Sequence, residues 1–110
     1  LARIELEKLR VAWVEQGDPQ RLLRDISIWL RRASMSLTTR REVASLTGSA
    51  WRQHLASMAG EAVFSEAEGT LLTEASYRGS LPAGVNIDAA QLLAQCERWL
   101  DASVRRLQRQ

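Results

Sequence analysis

The sequence predicts an all-α protein: a compact bundle of five or six helices around a tryptophan-rich core. Three observations predict it. Apolar residues recur at helical spacing along most of the chain. Helix stop and start signals fall between those stretches. Only two prolines and six glycines interrupt 110 residues, and four tryptophans, Trp13, Trp29, Trp51 and Trp99, each lie on or beside an apolar stripe.

Residues 2–16 read as the first helix. Ala2, Leu6, Leu9 and Trp13 repeat at steps of four, three and four, and Ile4, Val11 and Val14 are expected to widen that stripe. Gly17-Asp18-Pro19 is then a stop and a start with almost no loop. Glycine takes a positive φ without a Cβ penalty, aspartate accepts from free N–H groups, and proline suits the first helical position. Two helices joined this tightly fold back on one another.

The second helix is expected from Pro19 to about Leu37. Leu22, Ile26, Trp29, Leu30, Ala33 and Leu37 form one face, with Arg24, Ser27, Arg31 and Ser34 expected on the other. Arg21 and Asp25 stand four apart and can pair weakly. Thr39 followed by Glu42 fits a capping box that opens a short third helix through Val43, Ala44 and Leu46. Thr47-Gly48 breaks it, and Thr47 caps a fourth helix in which Trp51, Leu55 and Met58 share a face. Gly60 ends that helix.

Between residues 61 and 86 the pattern weakens. Val63 and Phe64 read as core plugs carried by a loop. Leu71, Leu72, Ala75 and Tyr77 predict a short helix after Gly69, with a strand as the alternative. Asn86 is the expected cap of the last helix, with Asp88 in its first turn. That helix buries Ala89, Leu92, Cys96, Trp99, Ser103 and Leu107, flanked by Leu93, Leu100 and Val104, and places Asp101 four residues before Arg105.

Length and composition fit one domain over residues 1–110. Apolar residues make up 45% and charged residues 25%, near the globular average. Lys8 is the single lysine, so arginine supplies 14 of the 15 basic residues, but 13 acidic residues leave a net charge of only +2. That is a mild bias, not the basic stripe of a nucleic-acid binder. One cysteine excludes an internal disulfide and fits a reducing compartment. No run approaches the roughly 18 apolar residues of a membrane span. The chain begins at Leu1 without a methionine, so a fragment of a longer protein is expected.

The candidate chemical groups have plain readings. His54 is the single histidine, beside Arg52 and Gln53, and no cysteine pair offers metal-ligand spacing, so neither a metal nor a cofactor is expected. Cys96 lies on an apolar stripe, where a thiol packs rather than reacts. Glu61, Glu66, Glu68 and Glu74 lack partners that would tune an acid–base pair and read as a solvated loop. No catalytic residue is expected. The turn from Leu46 to Ser49 offers a helix-turn-helix alternative in which the following helix presents Ser49, Arg52, Gln53 and Ser57 to nucleic acid. One arginine is little for a binder that relies on phosphate contacts. Arg31, Arg32, Arg40 and Arg41 cluster around the end of the second helix. They either serve the helix dipole or form a docking surface for an acidic partner.

The order of these pieces resembles one bacterial family. The residues that carry it are Asp18-Pro19 with Leu22-Leu23, the run from Ile28 to Ala33, the run from Glu42 to Trp51, Phe64-Ser65-Glu66, Leu71-Leu72 followed by Tyr77, and Arg98-Trp99-Leu100. The chain is similar in these to the soluble part of domain of unknown function 4381. It departs from the family pattern at Thr38-Thr39 and at Arg52. The resemblance implies a cytoplasmic helical domain behind one transmembrane helix, at the inner membrane. It also implies work with a MoxR-type AAA+ ATPase or a von Willebrand factor A protein encoded nearby, in operons linked to aerotolerance. The expected function is a non-enzymatic protein-interaction module.

Overall fold

A computed structural model describes residues 2–38, 43, 45–74 and 87–109. Five α-helices account for the regular structure there: α1 (Ala2–Gln16), α2 (Pro19–Leu37), α3 (Gly48–Ala59), α4 (Glu66–Glu74) and α5 (Ala89–Gln108). The expected all-α bundle is therefore what forms. None of these helices is long and apolar enough to cross a membrane.

The α1–α2 corner forms as its residues dictate. Gly17 adopts φ +61° and its N–H donates to the Trp13 carbonyl at 2.8 Å. The Asp18 carboxylate accepts from the N–H groups of Gln20 at 3.1 Å and Arg21 at 3.2 Å, and Pro19 opens α2. The two helices run back along each other, so that Trp29 Nε1 reaches the Ala2 carbonyl at 2.8 Å.

Helix α5 lies against α1, α2 and α3, and α4 bridges α2 and α3. The core gathers Leu22, Leu23, Ile26 and Leu30 of α2 with Leu92, Leu93, Cys96, Trp99 and Leu100 of α5, and Trp51 and Leu55 of α3. Trp29 and Trp99 meet edge to face, 5.9 Å between centroids. Val63 is buried and Phe64 packs partly against the core, as plugs carried by a loop.

Several expectations need correction. Ile4, Val11 and Val14 do not widen the buried stripe of α1: they are 59%, 49% and 79% exposed, and Leu6 alone is buried. A two-sided apolar helix needs two neighbours' surfaces, and α1 is covered on one side only. Ser34 does not face solvent but is fully buried. Ser27 is half-buried and donates to the Leu72 carbonyl. Asp88 is the N-cap of α5, not a first-turn residue, accepting from Gln91 N–H at 3.0 Å; Asn86 lies outside the described residues. Asp101 meets Arg3 of α1 rather than Arg105.

Helix α4 starts earlier than expected. It opens at Glu66, with Gly69 inside it, because Ser65 and Glu68 form a reciprocal capping box. Ser65 N–H donates to Glu68 Oε1 at 2.8 Å, and Glu68 N–H donates to Ser65 Oγ at 3.1 Å. The short helix expected through Val43 to Leu46 and its Thr39–Glu42 box fall mostly outside the described residues, as does Tyr77. Thr47 is the N-cap of α3 but makes no side-chain capping bond. Gly60 ends α3 at φ +77°.

Two outcomes follow. Asp18→Ala should lower the free energy of unfolding by about 1 kcal/mol, read from the shift of the urea midpoint. Burial pushes the Cys96 thiol up to about 12 from its ordinary 9.0, with the charge of Arg10 opposing weakly. An unfolded chain ionises this thiol above pH 9 while the fold does not, so its contribution to stability is lost between about pH 9 and 12. The stability of Cys96→Val should fall less steeply than that of the parent across that range. Iodoacetamide should label Cys96 at pH 8 no faster than the chain unfolds.

Candidate interaction surfaces

Two members of the arginine cluster, Arg31 and Arg32, fall among the described residues. Arg31 is half-buried and turned inward: its Nη1 donates to the carbonyls of Val43 and Leu46, both at 2.8 Å. Its guanidinium also lies 4.1 Å from the centroid of the Trp51 ring. One side chain of α2 thus pins the segment entering α3, satisfying carbonyls that helices leave unpaired at such junctions. Arg32 is exposed. Arg40 and Arg41 lie outside the described residues. The docking reading of the cluster therefore loses one of its four members to a structural brace.

The other single candidates also find places. Glu61 pairs with Arg98 of α5 at 2.7 Å. Glu68 belongs to α4 rather than to a loop. Partial burial pushes its carboxyl up, but hydrogen bonds from Ser65 N–H, from Gln95 and from the Ser65 hydroxyl outweigh this and hold it below the usual value. The Glu74 side chain is outside the described set. Among the described residues no group of three His, Cys, Asp or Glu gathers closely enough to hold a metal ion.

His54 stacks on Trp51 with 5.9 Å between ring centroids. It also lines a polar recess of about 200 Å³ with Thr38, Ser57, Met58, Ser103, Arg106 and Leu107. The Ser103 hydroxyl there is fully buried and meets no hydrogen-bond partner among the described residues. None of the described residues that line the recess is a carboxylate. Thr38 at the end of α2 and Ser57 and Met58 in the last turn of α3 surround Arg106, so helix C-termini direct partial negative charge at the recess.

A second opening lies between α3 and α4. It is a cup of about 330 Å³ with Leu55, Val63, Phe64 and Trp99 among its walls, and with Arg52, Gln53, Ser65 and Glu66 among its polar residues. Sequence periodicity does not show it, because its walls come from α3, α5 and the loop before α4. The signals that point to it are the apolar pair Val63-Phe64 in a loop, and Gly69 three residues after Glu66. The same geometry bears on the helix-turn-helix alternative. Arg52 reaches toward Glu66 of α4, at 4.0 Å, instead of projecting away for phosphate.

A family model described as Domain of unknown function (DUF4381) matches residues 1–102, and the chain belongs to that family. No curated protein and no solved structure matches the chain.

The arginine geometry separates two neighbours sharply. Arg31→Ala should cost about 2–3 kcal/mol of stability, since two carbonyls lose a charged donor and Trp51 loses its cation. Arg31→Lys should recover only part of this, because an ammonium lacks the planar fork. Arg32→Ala should change stability by less than about 0.5 kcal/mol. Chemical denaturation of the three variants checks the ranking, and equal losses at positions 31 and 32 would contradict it.

Proposed function

We propose that this member of the family is a non-enzymatic protein-interaction module. In this reading it is the cytosolic part of a membrane-anchored protein that works with a MoxR-type ATPase or a von Willebrand factor A protein. The observation that carries it is the outer face of α1. Ile4, Val11 and Val14 follow one another at steps of seven and three, so they share a face, and all three are large aliphatics left in water. The opposite side of the same helix carries Leu6, Leu9 and Trp13 against the core. Ile4 and Val11, with Glu7 and Lys8, line a shallow open trough.

Covering an exposed aliphatic side chain is favourable by about 1.5–3 kcal/mol when the burial is complete. A row of three on a surface helix is therefore a recognition element of useful size. Its charged neighbours Glu7 and Lys8 have opposite signs, so the trough favours an apolar partner surface over a strongly charged one. Arg32 remains an exposed member of the arginine cluster. The membrane anchor in this reading belongs to another part of the full gene product.

The test uses purified partner proteins. Val11→Glu combined with Val14→Glu should reduce capture of the cognate ATPase or von Willebrand factor A protein at least tenfold, with an unchanged far-ultraviolet dichroism spectrum. Undiminished capture by the folded double variant would reject the α1 face.

A further inference from the structure

The cup between α3 and α4 has an apolar floor and one placed cation. Leu55, Val63 and Trp99 are buried, and Phe64 is half-buried. The polar atom of Trp99 is already satisfied, since Nε1 donates to the Leu55 carbonyl at 3.0 Å. An occupant must therefore present apolar surface to this floor, because an unmatched buried polar group costs about 1–3 kcal/mol.

Arg52 is the single cation among the described lining residues. Its partner Glu66 stands at 4.0 Å with a side chain 90% exposed, a pair of small energetic weight. Gly69 explains why Arg52 lies where it does. It is buried within α4, and a Cβ there would stand 2.5 Å from Arg52 Cδ and 3.0 Å from Cγ. Glycine inside a helix costs about 1 kcal/mol relative to alanine. Here its bare backbone forms the bed on which the arginine stem rests, bringing the guanidinium to the cup. Five fixed N–H donors with one loose partner suit a planar carboxylate.

We propose that the cup receives one large apolar side chain of a partner protein, and that Arg52 takes the carboxylate of an aspartate or glutamate close to it in the same segment. A volume of about 330 Å³ lies at the lower bound of small-molecule pockets. It fits the anchor pockets into which single side chains insert at protein interfaces. The partner carboxylate displaces Glu66, which swings into water. The proposal rests on the interaction reading above but uses α3 and α4 rather than α1, so the two fail separately.

A randomised heptapeptide display selection against the whole chain tests it. Enriched peptides should carry a large apolar residue with an acidic residue within two positions. By fluorescence anisotropy such a peptide should bind at least tenfold more weakly to Arg52→Gln. Its own acid-to-amide version should lose as much on the parent chain, and the two changes together should cost no more than either alone. Gly69→Ala should weaken binding while the thermal midpoint holds or rises, which separates displacement of Arg52 from loss of the fold. Val11→Glu should leave the peptide's affinity unchanged. Failure to enrich peptides, enriched peptides without an acidic residue, equal binding to Arg52→Gln, or loss of binding in Val11→Glu would each overturn the proposal. So would a sedimenting dimer of the parent chain that Arg52→Gln dissolves, since the occupant would then be a second copy.

Discussion

The fold depends on how Trp99 is held. Its ring meets Trp29 of α2 edge to face, and its indole N–H closes on a carbonyl of α3. Trp29 in turn hands its own N–H to the first turn of α1. Two indoles thereby link four helices, each combining a large apolar body with one donor that needs a partner when buried. Leucines could supply comparable burial, but they would not fix the rotation of one helix against the next. The directional bonds do this, and they explain why the pairing is α2 against α5 with α1 and α3 attached on either side. Trp99 also helps floor the cup, so the element that orders the core shapes a feature of the surface.

Arginine replaces lysine almost everywhere in this chain, and its described examples show what that allows. Arg31 stacks on Trp51 while donating to two carbonyls, a combination that a compact ammonium does not make. Arg52 lays its stem on a bare stretch of helix. Arg3 and Arg10 tie α1 to α5 through Glu97 at 3.5 and 3.3 Å, and Arg3 also meets Asp101. The exposed pairs contribute little each. Their spread along α1 does select which face of that helix turns toward α5, and so which face is left outside.

Much of this was legible in the sequence where a helix has one apolar face and a clear cap. Helix α2 is the plain case: its stripe, the Asp18 cap and Pro19 name its start and its buried side. Helix α5 is nearly as plain, apart from its start at Asp88 and from Leu107, expected on the buried stripe but exposed in the last turn, where no described helix covers it. Periodicity fails where a helix has two apolar faces, as α1 does, because spacing states that residues share a face without stating that a neighbour covers it. It also fails for short polar side chains. Ser34 and Ser103 sit at core positions by register, and their hydroxyls made Ser34 read as surface. The cup was illegible for a third reason: its walls are distant in sequence, and the glycine that seats Arg52 reads locally as a helix breaker. The inward turn of Arg31 was also illegible, since a charge run does not reveal which members bond to backbone.

The core and the recognition features are therefore separable to an unusual degree. Helix α1 buries Leu6, packs Ala2, Leu9 and Trp13 partly against the core, and adds the Trp29 bond and a few exposed ion pairs. Its outer aliphatics, Ile4, Val11 and Val14, expose apolar surface to water, and the proposed interaction would cover it. The cup presents the reverse arrangement. Its floor is part of the core and cannot vary without loss of packing, whereas Arg52 of α3 and Gly69 of α4 stand at its edge. In the proposed reading, change at the edge would alter which segment is received and leave the bundle standing. A domain built this way holds its architecture with indoles and aliphatics, and the proposed recognition falls to a helix face and a rim.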